Sequence, residues 1–126
     1  MIQRFVDEIE KAIDSHPTVL SSTLQKQFGP DSKSVYLKSS IIFANLSVLE
    51  LSIFAFASRH KVMIDKYRYH DMDMRGRLVF RYDNAPHHRE LQSFPDHKHL
   101  PDKAVAAPAP SLPDVLNEIS AAILGR

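Results

Sequence analysis

Four of the seven histidines in the chain fall within the thirteen residues from His87 to His99. Imidazole titrates near neutral pH and needs hydrogen-bond partners when buried, so a cluster this dense is costly to carry without a use. The cluster has two parts, Pro86-His87-His88 and Phe94-Pro95-Asp96-His97-Lys98-His99, with Arg81 and Asp83 just upstream. Two chemistries suit these residue types. Metal-free RNA cleavage needs a base for the 2′-hydroxyl, an acid for the leaving oxygen and cations for the charge on phosphorus. His87, His88, His97 and His99 supply acid–base groups, with Asp83 to orient a histidine or an arginine. Arg68, Arg81, Lys98 and Lys66 supply phosphate contacts, and no cofactor is required. The alternative is a divalent metal such as zinc. His97 and His99 share a face if extended, and His87 or His88 with Asp83 or Asp96 would complete the ligand set. That set implies a metal-dependent hydrolase or a metal-binding module. A plainer role is that the histidines and prolines pin a long loop through hydrogen bonds.

The chain length of 126 residues suits one domain, 1–126, and 44% apolar and 25% charged residues are ordinary for a globular protein. Net charge is only +1, so the whole chain argues for no nucleic-acid partner. Its distribution is uneven: residues 59–89 hold eight of the sixteen Lys and Arg against four acids. Such a basic middle fits a phosphate-bearing partner or a solvated face. The absence of cysteine excludes disulfide frameworks, thiol nucleophiles and Cys-type zinc sites. The N-terminus lacks the features of a signal peptide, and the most apolar stretch, 41–57, is interrupted by Asn45, Ser47, Glu50 and Ser52. No membrane partner is expected, and the cytoplasm is the default location.

The elements that must position the cluster are legible in part. Ile2, Phe5, Val6, Ile9 and Ile13 recur at helical spacing, predicting a helix over 1–14 that His16-Pro17 stops. Residues 18–83 read as β-sheet, with 41–57 taken as strand over buried helix. Asp73-Met74-Arg75-Gly76 suits a tight turn. A two-residue loop at Met74-Arg75 would pair Tyr69 with Phe80, Tyr67 with Tyr82, Arg68 with Arg81 and Lys66 with Asp83. One face of the hairpin is then aromatic core, and the other carries Lys66, Arg68, His70, Arg77, Arg81 and Asp83. Residues 84–110 read as an irregular functional loop whose Ala/Pro half is a stiff connector. Ser111-Leu112-Pro113-Asp114 opens a last helix over 111–124. The predicted fold is α+β: an antiparallel meander of four or five strands with both terminal helices packed on its aromatic face.

Arg81-Tyr82-Asp83-Asn84-Ala85-Pro86-His87-His88 with Phe94-Pro95-Asp96-His97-Lys98-His99 resembles the TumE family of small prokaryotic toxin–antitoxin toxins. Tyr67-Arg68-Tyr69 and the proline-led final helix fit as well, so the resemblance spans roughly residues 47–124. Two departures stand out: Asp96 where that family has a histidine, and Asn45-Leu46-Ser47 where a glycine-containing turn is usual. The resemblance implies a growth-inhibiting toxin of a type II system whose partner is a cognate antitoxin. The resemblance carries no mechanism with it; the residue chemistry, helped by analogy with other small toxins of helix-plus-sheet build, predicts a metal-independent endoribonuclease acting on an RNA substrate, with a homodimer allowed. A non-enzymatic protein that binds nucleic acid or antitoxin through the basic face is a further alternative.

Overall fold

The computed structural model describes residues 1–125. Among them the order is α1 (Ile2–Asp14), β1 (Val19–Phe28), β2 (Ser34–Phe43), β3 (Val48–Ser58), β4 (Lys61–Met72), β5 (Leu78–Asp83), β6 (His97–Leu100), β7 (Lys103–Ala106) and α2 (Leu112–Ile123). The strands form one antiparallel sheet in sequence order, β1 to β7. The expected α+β meander is present, but with seven strands instead of four or five. The two additional strands arise inside 84–110, so His97 and His99 stand on a strand and not in a loop.

Alternation builds one covered face. Val35, Leu37, Ile41, Phe43, Leu49, Leu51, Ile53, Tyr67, Tyr69 and Phe80 project from it and are buried. They meet Ile2, Val6, Ile9 and Ile13 of α1 and Leu112, Val115, Leu116 and Ile119 of α2. Truncating a fully buried member such as Leu116 or Ile53 to alanine would cost about 2–5 kcal/mol, a sizeable part of a typical domain's stability. The second helix starts on a capping box: the Ser111 Oγ accepts from the Asp114 N–H (3.2 Å), and the Asp114 Oδ2 accepts from the Ser111 N–H (3.1 Å). Thr18, Ser120 and His16 join the helix ends, with 2.5 Å between the two hydroxyls and 3.2 Å from the Ser120 Oγ to the His16 Nδ1.

The β4–β5 hairpin keeps the predicted face parity but not the predicted register. Tyr69 pairs with Tyr82, Arg68 with Asp83, His70 with Arg81 and Asp71 with Phe80, a shift of two residues. The turn is longer than a two-residue loop. The Gly76 N–H donates to the Asp73 carbonyl, Gly76 takes φ 80°, and the Asp73 Oδ1 accepts from the Arg75 and Arg77 amides. A type I turn with a left-handed glycine and an adjacent bulge consumes the extra residues.

Candidate functional site

The open face of the sheet, opposite the helices, gathers the predicted residues into two cross-strand rows. Ser52, Arg68, Asp83 and His97 are successive partners across β3, β4, β5 and β6. Glu50, His70, Arg81 and His99 form the neighbouring row. Directly opposed residues hold their Cβ atoms about 5 Å apart, so side chains distant in sequence meet here.

At the end of these rows Asp83, His97 and His99 converge. The His97 Nε2 lies 2.9 Å from the Asp83 Oδ1, and the His99 Nε2 lies 3.7 Å from the Asp83 Oδ2. The two Nε2 atoms are 2.9 Å apart. Each ring has company: the His97 Nδ1 is 2.8 Å from the Pro95 carbonyl oxygen, which fixes its orientation. His88 packs edge-on against both rings, at 5.3 Å from His97 and 5.4 Å from His99, while its Nδ1 faces Glu90 at 3.1 Å. Asp83 also accepts from the Arg81 Nε (3.0 Å) and the Ala85 N–H (3.1 Å). His97 is 1% exposed and Asp83 6%, so a buried imidazole and a buried carboxylate sit under a more open His99.

The segment between β5 and β6 is tied down by its own residues. Asn84 accepts from the Tyr67 N–H and donates to the Asp65 carbonyl, locking the strand exit onto β4. The Tyr67 hydroxyl donates to the Asp96 Oδ1 at 2.8 Å, so Asp96 supports the segment and does not join the converging set. The Ser93 Oγ bridges the Asp96 carbonyl and the Ala107 N–H. Peptide Phe94–Pro95 is cis.

Beside the cluster lies a cleft of about 570 Å³ carrying Lys66, Arg68, Arg81 and His87, with Tyr36 and Phe54 on its wall. Asp83 also lines it, which joins the cleft to the histidines. Arg68 is exposed and donates through Nη2 to the His70 Nδ1 at 3.0 Å. Burial lowers the pKa of His70, and the charges of Arg68 and Arg81 add to this. His99 is lowered by burial and by Arg81, against a smaller opposing pull from Asp83. Both rings therefore favour the neutral form, which can accept a proton.

Not every expected residue is at this place. Lys98 points to the covered face, because it alternates with His97 and His99 along β6. Its Nζ donates to the Glu118 Oε2 at 2.7 Å and lies over the Phe80 and Tyr82 rings at 5.2 and 4.9 Å. Burial opposes its charge, but the hydrogen bonds to Glu118 and Tyr82 prevail and raise its pKa. His87 is exposed on the cleft and stands outside the converging set, whose ligand atoms are those of Asp83, His97 and His99. The aromatic wall of Tyr36 and Phe54 was missed from sequence. Phe54 could be placed on the polar side of β3 by alternation, but its neighbour Tyr36 required the β2–β3 pairing.

The fold joins an antiparallel seven-stranded sheet, with two helices on one side, to a histidine–carboxylate cluster on the other. The family model described as toxin TumE matches residues 9–123, nearly the whole chain. The chain belongs to the TumE toxin family. No curated protein and no solved structure matches it. Among the described residues no helix is long and apolar enough to cross a membrane.

Proposed function

We propose that the chain is a toxin acting on RNA, cleaving phosphodiester bonds at the open face of the sheet and held in check by a cognate antitoxin. The observation that carries this reading is the adjacency of the cationic, aromatic-walled cleft to the Asp83–His97–His99 centre. Lys66, Arg68 and Arg81 suit a phosphate backbone, and the exposed ring of Tyr36 beside Phe54 suits stacking of an unpaired base. A substrate of RNA places the action in the cytoplasm.

In the reaction so proposed, the 2′-oxygen attacks the adjacent phosphorus while its proton passes to a base. The 5′-oxygen departs, taking a proton from an acid, and a 2′,3′-cyclic phosphate remains. His99 is the accessible member of the centre and, held in its neutral form by burial and Arg81, is the candidate base. His87, on the cleft, is the candidate acid. His97 is too buried to reach substrate and acts as a positioning residue for Asp83. Arg68 and Arg81 offset the charge that accumulates on the phosphoryl oxygens. The neighbouring His88 packs against both rings and keeps them in place.

Tightly controlled expression with mapping of cellular RNA 5′-ends tests the reading. Growth arrest accompanied by new 5′-hydroxyl ends, both lost with folded His99→Gln, is the expected result. Arrest with intact RNA, or undiminished cleavage by His99→Gln, would overturn it.

A second reading, a metal-dependent hydrolase, is favoured by one specific observation: two imidazole nitrogens and a carboxylate oxygen, on three separate residues, lie within 4.8 Å of one another.

A further inference from the structure

We propose that Asp83, His97 and His99 bind a divalent first-row transition metal of the zinc type, with one coordination position left for water. The inference stands whether or not the substrate is RNA, because it concerns the donor set alone.

The donor atoms have the right chemistry and spacing. Two imidazole nitrogens and one carboxylate oxygen suit zinc and its neighbours. Tetrahedral coordination with bonds of about 2.0–2.1 Å places ligand atoms about 3.3 Å from one another. The two Nε2 atoms stand 2.9 Å apart, and the carboxylate faces His97 with Oδ1 at 2.9 Å and His99 with Oδ2 at 3.7 Å. One donor atom from each residue lies within 4.8 Å of the others, close enough for a small shift to reach that edge. The elements are also suitably rigid, since β5 and β6 are paired at Asp83–His97 and at Arg81–His99. Ligands two residues apart on one strand and a third on its neighbour need no loop to close around the ion.

The orientation of His97 points the same way. Its Nδ1 hydrogen is directed to the Pro95 carbonyl oxygen, so the neutral ring offers the Nε2 lone pair inward. That lone pair faces the Asp83 Oδ1 and the His99 Nε2 at once. A single proton between them satisfies one such contact well, whereas an ion satisfies all three. A backbone carbonyl holding the outer nitrogen of a ligating histidine is the usual supporting arrangement at zinc sites. The Arg81 Nε and the Ala85 N–H do the same for the carboxylate, each occupying one oxygen. Three protein ligands with an open position are the pattern of a catalytic site, and a structural one would be closed by four.

A bound ion would take up the His99 Nε2 as a ligand and would supply, in place of that ring, a water of lowered pKa as proton acceptor. His87 keeps its place on the cleft, outside the ligand set.

The test uses the full chain, stripped with chelator and titrated with Zn²⁺ and with Co²⁺. One equivalent per chain is expected, with a Co²⁺ visible spectrum of low coordination number and a higher Tm. His99→Gln and Asp83→Asn, each verified as folded by circular dichroism, should weaken Zn²⁺ affinity by more than the roughly 10–100-fold typical of outer-sphere changes. His87→Ala should leave it unchanged. Binding that is absent, or that survives both ligand substitutions while falling with His87→Ala, would overturn the site. Ion binding without RNA cleavage would sink the RNA reading and leave the metal site standing. Cleavage untouched by chelator in a protein that binds no ion would do the reverse.

Discussion

Strand β6 carries two histidines on one side of the sheet and a lysine on the other, and their fates differ completely. Lys98 is drawn under α2, where Glu118 neutralises it and two aromatic rings enclose it. On the opposite side, Arg68 stays exposed, and Asp83, His97 and His99 aim donor atoms at one another. Charge on the covered face is spent inside the molecule, whereas charge on the open face remains available to a partner. A one-residue alternation, and not residue type, separates a structural cation from the candidate site.

The sharpest way to break this comparison is at the buried end of the open face. His99→Gln, at the centre built over the buried His97 and Asp83, is expected to lower RNA cleavage by about 10²–10⁴-fold, as removal of the acid–base group does, while the fold persists. Equal cleavage by the folded variant would show that the two faces do not differ in function. Next in size is Arg68→Ala with Arg81→Ala. RNA binding should weaken about equally across sequences, and the slope of affinity against salt should fall by about two. An unchanged slope in filter binding would remove these arginines from the phosphate path.

The covered face predicts the converse pattern. Lys98→Met should cost about 1–2 kcal/mol of stability, read as a drop in Tm of about 4 °C per kcal/mol, with growth inhibition retained. Lost toxicity at full stability would put Lys98 at the site after all. The smallest effect concerns Asp71, buried on the same face with its Oδ1 unpartnered among the described residues. Burial, with Glu118 and Asp73 adding, raises its pKa from 3.8 to about 7. The folded state thus holds a proton that the unfolded chain releases, so stability falls as pH climbs through that window. Asp71→Asn should match wild type near pH 4 and exceed it by a few degrees of Tm at pH 8. Thermal melts with parallel pH profiles would count against this account.

Much of the frame was readable directly. The stripes of α1 and α2, the Ser111 cap and the aromatic face of the β4–β5 hairpin follow from local periodicity. The register was off by two because the Asp73 carboxylate caps two amides of the turn, a contact that hydrophobic pattern does not encode. The strands at His97–Leu100 and Lys103–Ala106 escaped for a related reason. His-Lys-His-Leu and Lys-Ala-Val-Ala are short and show no clear apolar alternation, so their conformation is set by pairing, β6 with β5 and β7 with β6, and not by their own preference.

By itself the sequence determined the inventory: a histidine-rich stretch after a basic strand, two amphipathic helices and a family resemblance that the match over residues 9–123 bears out. Only the tertiary structure decided which of those residues act together. Asp83 and His97 are fourteen residues apart along the chain and 2.9 Å apart in space, because β5 and β6 pair. Lys98, adjacent to both histidines in sequence, is excluded by the same pleat. Side-chain direction in a sheet depends on register, and register is settled by long-range hydrogen bonds and burial that no local stretch contains.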